Sequence, residues 1–281
     1  MKENKFIQDN NLKDYSIYLD HVSFSYDKKH DIDDISLRIN KGEKVALLGH
    51  NGSGKSTLLK LIDGIIVPKI GDIYINGYLL NDESGYFIRK NIGLVFQNPD
   101  SQFIGTTVKD DIIFSLENEQ VDPLLMDEII DKSLLDVDML EFKDREALSL
   151  SGGQKQRVNL ASIFALNKEI LLLDEAKSML DPKGKIQIDK LLNDKYNENK
   201  NMTIISITHD ISELDFFNRV ILLDKGKIVF DGKKEELFYN DELIDKYHVE
   251  VPLLYKLSSL DESLKDKDNI KDILDYLCQL K

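Results

Sequence analysis

The stretch VALLGHNGSGKSTLLKLID, residues 45–63, decides the fold. It opens with a short apolar run, crosses a glycine-rich segment that fits G-x-x-x-x-G-K-[ST], and continues into a helix-forming run that opens with Ser56 and Thr57. That pattern is a phosphate loop. Small residues from Gly49 through His50, Asn51, Gly52, Ser53 and Gly54 let successive backbone N–H groups curl around anionic oxygens. Lys55 is expected to reach the β- and γ-phosphates of a nucleotide, and Ser56 to hold Mg²⁺. The phosphates would rest on the positive end of the following helix, where unpaired N–H groups and the macrodipole favour negative charge. At average residue usage such a match arises by chance about once in a hundred chains of this length. The strand, loop and helix order around it makes chance a poor account.

The chain has 281 residues, room for one large α/β domain with a small extension and too few for two nucleotide-binding domains. Its formal net charge is −14, which argues against a surface built to neutralise a nucleic-acid backbone. Cys278 is the one cysteine, so an intramolecular disulfide is excluded and a reducing compartment is expected. The opening MKENKFIQDNNLKD lacks the apolar core of a signal peptide, and no run of eighteen apolar residues occurs. Membrane contact is therefore expected to come through a partner.

Working outward from the loop, residues 1–14 are polar and read as a flexible N-terminal extension. YSIYLDHVSFSY from Tyr15 and DISLRI from Asp34 alternate apolar and polar residues, as an antiparallel β layer does. IGLVF from Ile92, ILLLD from Ile170, TIISIT from Thr203 and VILLD from Val220 are continuous apolar runs. Runs of that kind suit strands buried on both faces of a mostly parallel sheet. Between about 108 and 167 the spacing becomes helical, with Asp122-Pro123 a plausible helix start, so a helical subdomain is expected within a domain covering 15–234. KKEELF, NDELIDKYHV and DNIKDILDYLCQL make 235–281 a helical C-terminal region.

Two further segments carry chemistry. ILLLDE ends an apolar strand on Asp174 and Glu175, placing the carboxylates at the carboxyl end of a sheet strand, where ligands bind in open α/β folds. Asp174 suits the Mg²⁺ shell and Glu175 is placed to polarise an attacking water. LSGGQ, from Leu150, precedes a helical stretch; by itself it could be no more than a helix cap.

GHNGSGKST, Gln97, LSGGQ, LLLDE, SMLD from Ser178, and His209 occur in one order, and in that order they resemble the ATP-binding subunits of ABC transporters over about residues 16–235. The resemblance implies a P-loop ABC ATPase fold: a mostly parallel sheet core, an antiparallel β subdomain, an inserted helical subdomain and a C-terminal helical extension used for pairing. It further implies two such domains arranged head to tail, so that Ser151, Gly152, Gly153 and Gln154 of one close over the ATP held by the other. Tyr26 would lie against adenine, Gln97 would sense Mg²⁺ and the attacking water, His209 would contact the γ-phosphate, and Asp181 would support the dimer interface. One departure stands out: Lys177 occupies a position where this family commonly has Thr or Ser. It reads either as a solvated surface charge or as a change in the contacts of that loop.

QNPDSQFIGTTVKDDIIFSLEN, from Gln97, resembles the coupling-loop region of energy-coupling factor transporter ATPases, a group that includes cobalt importers, and looks more like the first of their two paralogues. This resemblance implies an ATP-hydrolysing subunit, peripheral on the cytoplasmic face of the membrane, that powers uptake of vitamins or transition-metal micronutrients. Its partners would be a second, paralogous ATPase, a membrane-embedded coupling subunit and exchangeable substrate-binding membrane subunits. Two alternatives stay open: the ATPase of another importer class, and a soluble ABC ATPase acting in nucleic-acid maintenance or on the ribosome. The long coiled-coil insertions, zinc modules or fused second ATPase usual in the latter are not visible.

Overall fold

The computed structural model describes residues 8–27 and 31–258. In chain order the first elements are β1 (Tyr15–Phe24), β2 (Ile32–Asn40), β3 (Lys44–Leu48), α1 (Lys55–Asp63), β4 (Ile70–Ile75), β5 (Tyr78–Leu79), α2 (Gly85–Arg89) and β6 (Ile92–Val95). They are followed by α3 (Val108–Asn118), α4 (Pro123–Asp136), α5 (Gly152–Ala165), β7 (Ile170–Asp174), α6 (Pro182–Glu198), β8 (Thr203–Ile207), β9 (Arg219–Asp224) and β10 (Lys227–Gly232). Three short helices close the described chain: α7 (Lys234–Phe238), α8 (Asp241–Tyr247) and α9 (Leu253–Ser258).

The apolar runs build a six-stranded sheet in the order β10-β9-β3-β8-β7-β6, parallel throughout except for the β9–β10 hairpin. Side chains of a strand alternate between faces, and β7 shows what that does: Leu171 and Leu173 enter one core, Ile170 and Leu172 the other. A second sheet, β2-β1-β4-β5, is antiparallel. Its inner residues, among them Ile17, Leu19 and Ile73, pack with Leu58, Leu59, Leu61 and Ile62 of α1 against the first face of the main sheet. Those four α1 side chains are buried, and each contributes about 2 kcal/mol of burial free energy. The helix carrying the phosphate-loop lysine is thereby clamped between two sheets.

The opposite face of the main sheet meets α3, α4 and α5, which lie within 108–167 and share a core built on Val108, Ile112, Ile130, Leu134, Val158 and Leu160. Their starts are written in the chain. Thr107 and Asp110 form a reciprocal capping box, Asp122 caps α4 with Pro123 at its first position, and Ser151 with Gln154 caps α5.

Two parts differ from the sequence reading. Residues 8–14, read as part of a flexible extension, are tied to the β4–β5 turn: the Asp9 N–H donates to the Gly77 carbonyl and the Gln8 amide to the Asn76 carbonyl. At the other end α7 is more than an appendage, because Leu237 and Phe238 enter the main core. The DNIKDILDYLCQL stretch and Cys278 lie outside the described residues. Among the described residues no helix is long and apolar enough to cross a membrane.

Candidate nucleotide-hydrolysis site

Parallel strands deliver their carboxyl ends to one edge, and here that edge gathers the chemistry. Gly49–Gly54 follows β3, Gln97 follows β6, Asp174 ends β7 with Glu175 next to it, and Thr208 and His209 follow β8. The register holds them level: Leu47 of β3 and Asp174 of β7 both pair with Ile207 of β8.

The phosphate loop needs its glycines. Gly49 has φ 142, and a Cβ there would stand 2.2 Å from the Leu223 carbonyl oxygen; Gly54, the residue before α1, has φ 107 with the Asp31 carbonyl oxygen 2.5 Å from such an atom. The loop is braced from behind by the β9–β10 turn, where the Gly226 N–H donates to the Ser53 carbonyl at 2.9 Å. Lys55, buried, folds its Nζ back onto the carbonyl oxygens of Gly49 (2.7 Å) and His50 (3.0 Å). Burial lowers its pKa, while Glu175 and Asp174 pull it back up.

Ser56 Oγ donates to Asp174 Oδ1 at 3.1 Å. Burial raises the Asp174 pKa; the Ser56 hydrogen bond opposes that, the Glu175 charge adds to it, and Lys60 and Lys55 oppose it. Glu175 sits in the left-handed region at φ 49, a strained conformation for a non-glycine residue. Its carboxylate spans two partners, accepting from Gln97 Nε2 at 2.8 Å and lying 3.3 Å from His209 Nε2. The structure thus brings Lys55, Ser56, Gln97, Asp174, Glu175 and His209 together. Thr57 occupies the first turn of α1, and Asn51 and Gly52 form the exposed crest of the loop. A cavity of about 540 Å³ opens between His50 and Asn51, His209, and the end of α8 at Tyr247 and His248.

Other expected site residues lie apart from this cluster. Tyr26 follows β1, 55% exposed, with its ring edge-on to Phe24 at 4.9 Å. Ser151, Gly152, Gly153 and Gln154 open α5, where a Cβ on Gly153 would stand 2.9 Å from the Met179 carbonyl oxygen. Asp181 caps α6 through the Gly184 N–H and accepts from Arg157 Nη2 of α5 at 3.2 Å. The LSGGQ helix end and the SMLD loop therefore lie against each other.

Lys177 is not a solvated charge. Its side chain is 4% exposed, with Nζ 2.6 Å from Asp189 Oδ1 of α6 and 3.1 Å from Glu213 Oε2, itself buried in the turn after β8. Nor does the sequence reading anticipate Lys185 Nζ, 2.8 Å from Asp210 Oδ2. Asp210 is held down at about 2 by Lys185 and Ser212. No periodicity marks these residues; the one signal is the unusual lysine itself.

The donor set suits a nucleotide with a hard divalent cation. A hydroxyl and a carboxylate oxygen meet at Ser56 and Asp174, the oxygen chemistry that Mg²⁺ takes. Ser53 Oγ, buried in the loop, has no hydrogen-bond partner among the described residues. A glycine-built loop closed by a lysine at the head of a helix, beside a strand that ends on carboxylates, is the arrangement of a P-loop nucleotide-binding ATPase.

The relatives agree. The ABC transporter family model matches residues 32–178. The chain is 42% identical to the energy-coupling factor transporter ATP-binding protein EcfA of Malacoplasma penetrans, covering 100% of this chain and 99% of that one. It is 43% identical to EcfA1 of Lactobacillus johnsonii, covering 96% and 99%. Among solved structures, cbiO1 from Clostridium perfringens, part of an ABC transporter complex, superposes with TM-score 0.71 at 31% identity over 88% of this chain and 99% of that one. A dimeric ATP-binding cassette bound to ADP and phosphate gives TM-score 0.70 at 29% identity over 77% and 98%. The chain belongs to the ABC transporter family, among its energy-coupling factor transporter ATP-binding proteins.

Proposed function

We propose that this chain is the ATP-hydrolysing subunit of an energy-coupling factor importer, working at the cytoplasmic face of the membrane as a peripheral protein. The observation that carries the catalytic part is the Gln97–Glu175–His209 cluster beside Lys55. Lys55 and the loop N–H groups bind the phosphates, and Tyr26 offers its exposed ring to the base. Ser56 and Asp174, with Gln97, would hold Mg²⁺, which when bound neutralises phosphate charge. Glu175 accepts a proton from, and orients, the attacking water. His209 fixes that carboxylate and the terminal phosphate, so catalysis is mainly positioning and charge stabilisation.

Hydrolysis needs a second cassette. Ser151 and the N–H groups of Gly152 and Gly153, at the exposed start of α5, offer an anion-binding helix end to the nucleotide of a partner. The partners that fit are a paralogous ATPase, a membrane coupling subunit that docks against the Gln97 loop, and exchangeable substrate-binding membrane subunits delivering vitamins or transition-metal micronutrients. The nucleic-acid alternative loses its support, since the full-length relatives bear transporter names.

The test is turnover by the tagged complex extracted from membranes in mild detergent. Glu175→Gln is expected to retain ATP binding and abolish phosphate release; unchanged hydrolysis would remove Glu175 from its role. Co-purification of a second ABC ATPase with a multi-span membrane protein is expected, and recovery of soluble partners alone would overturn the importer reading.

A further inference from the structure

Lys177 lies two residues beyond Glu175, at the head of the loop that runs to Asp181. The loop is a run of tight turns: the Ser178 N–H donates to the Glu175 carbonyl and the Leu180 N–H to the Lys177 carbonyl. Across from it, Asp210, the residue after His209, caps a 3-10 turn, Ile211–Phe216, that carries Glu213. The Lys177 ammonium bridges the two, 3.1 Å from Glu213 and 2.6 Å from Asp189 on α6. Lys177, Glu213, Glu175 and His209 all line one cavity of about 470 Å³. The bridge is thus built into the wall of the reaction site.

Burying an ammonium is costly unless it is paired, and this chain supplies two carboxylates to do so. A tie that only had to hold the fold could be apolar; an ion pair instead fixes the distance and direction between two specific loops. We propose that Lys177 is a positioning residue for ATP hydrolysis. Through Glu213 it locks the turn that carries His209 to the loop that carries Glu175, and so keeps the 3.3 Å approach of His209 Nε2 to Glu175 Oε1. Lys185 and Asp210 make a second, more exposed fastening between α6 and the same turn, with side chains 29% and 37% exposed, and exposed pairs are weak. The buried bridge is the less screened of the two. This inference rests on the roles proposed for Glu175 and His209.

The experiment uses the detergent-extracted complex, with kcat, the KM for ATP and the melting temperature measured for each variant. Glu213→Leu is the informative change, because Lys177 keeps Asp189 and no ammonium is stranded. It is expected to lower kcat by about tenfold or more with KM moved by less than about twofold, since small misplacement of reacting groups is costly in rate. Asp189→Asn removes the other carboxylate but leaves the Lys177–Glu213 bond, and is expected to keep kcat within about twofold whatever it does to melting. In a His209→Ala background Glu213→Leu is expected to add no further loss, as its effect acts through His209; Lys177→Arg should restore more activity than Lys177→Met. If kcat falls in step with melting temperature across all variants, or the Glu213→Leu loss persists in full without His209, Lys177 is a structural tie and the proposal fails. A wild-type complex without turnover would instead overturn the proposed function itself, and this inference with it.

Discussion

At the residue scale, backbone conformation and side-chain chemistry are coupled most tightly in the phosphate loop. Gly49→Ala would force φ 142 on an alanine and drive its Cβ into the Leu223 carbonyl, so the loop must shift or the β3–β9 pairing must part. Loss of ATP-dependent stabilisation in a thermal melt is the expected readout, with a lower melting temperature even without nucleotide. Tyr26 makes a gentler case. Stacking on a base is worth about 1–3 kcal/mol and tolerates any base, so Tyr26→Ala should weaken ATP and GTP binding alike, by about tenfold, while Tyr26→Phe binds as wild type; equilibrium titration separates the two. Gly49 was legible because it opens a motif, whereas Tyr26 was placed only by the family resemblance. Lys177 was not legible: nothing along the chain says that Asp189 and Glu213 converge on it, and a lysine between Ala176 and Ser178 reads as a solvated charge as readily as a buried one until the packing is seen.

Elements were legible where their period was clean. The apolar runs became β6, β7, β8 and β9, and α3, α4 and α5 start at capping residues visible in the chain. The alternation read from the sequence does not include β4, although Asn76-Gly77, with φ 51 and 82, is the dipeptide that marks a tight hairpin after it. Helix α1 carries a liability at its last residue. Asp63 is buried, and burial raises its carboxyl to about 7, against the opposing pull of Arg89 and Lys168. A carboxyl with a raised folded pKa is protonated in the native state at pH values where the unfolded chain has already released its proton. Stability is therefore lost as pH rises from about 4 and the loss is complete above about 7, with an upper limit of about 4 kcal/mol. Asp63→Asn is expected to raise the melting temperature at pH 8 well above wild type and to narrow that difference at pH 4.

At the scale of the whole molecule, the LSGGQ helix end and the SMLD loop are held side by side, because Arg157 joins α5 to Asp181 and Gly153 packs on Met179. With Glu175→Gln to block turnover, ATP and Mg²⁺ are expected to convert separate cassettes into a two-cassette particle on size-exclusion chromatography. Ser151→Arg should abolish that shift while leaving ATP bound to the single chain.

The brace behind the phosphate loop has a consequence for how the protein is made. Strand β3 is flanked by β8 and β9, and the Ser53 carbonyl is held by Gly226. A chain emerging from the ribosome N-terminus first exposes residues 49–54 long before it exposes those neighbours. The newborn loop has no wall to stand against until β8, β9 and the turn at Gly226 have been made.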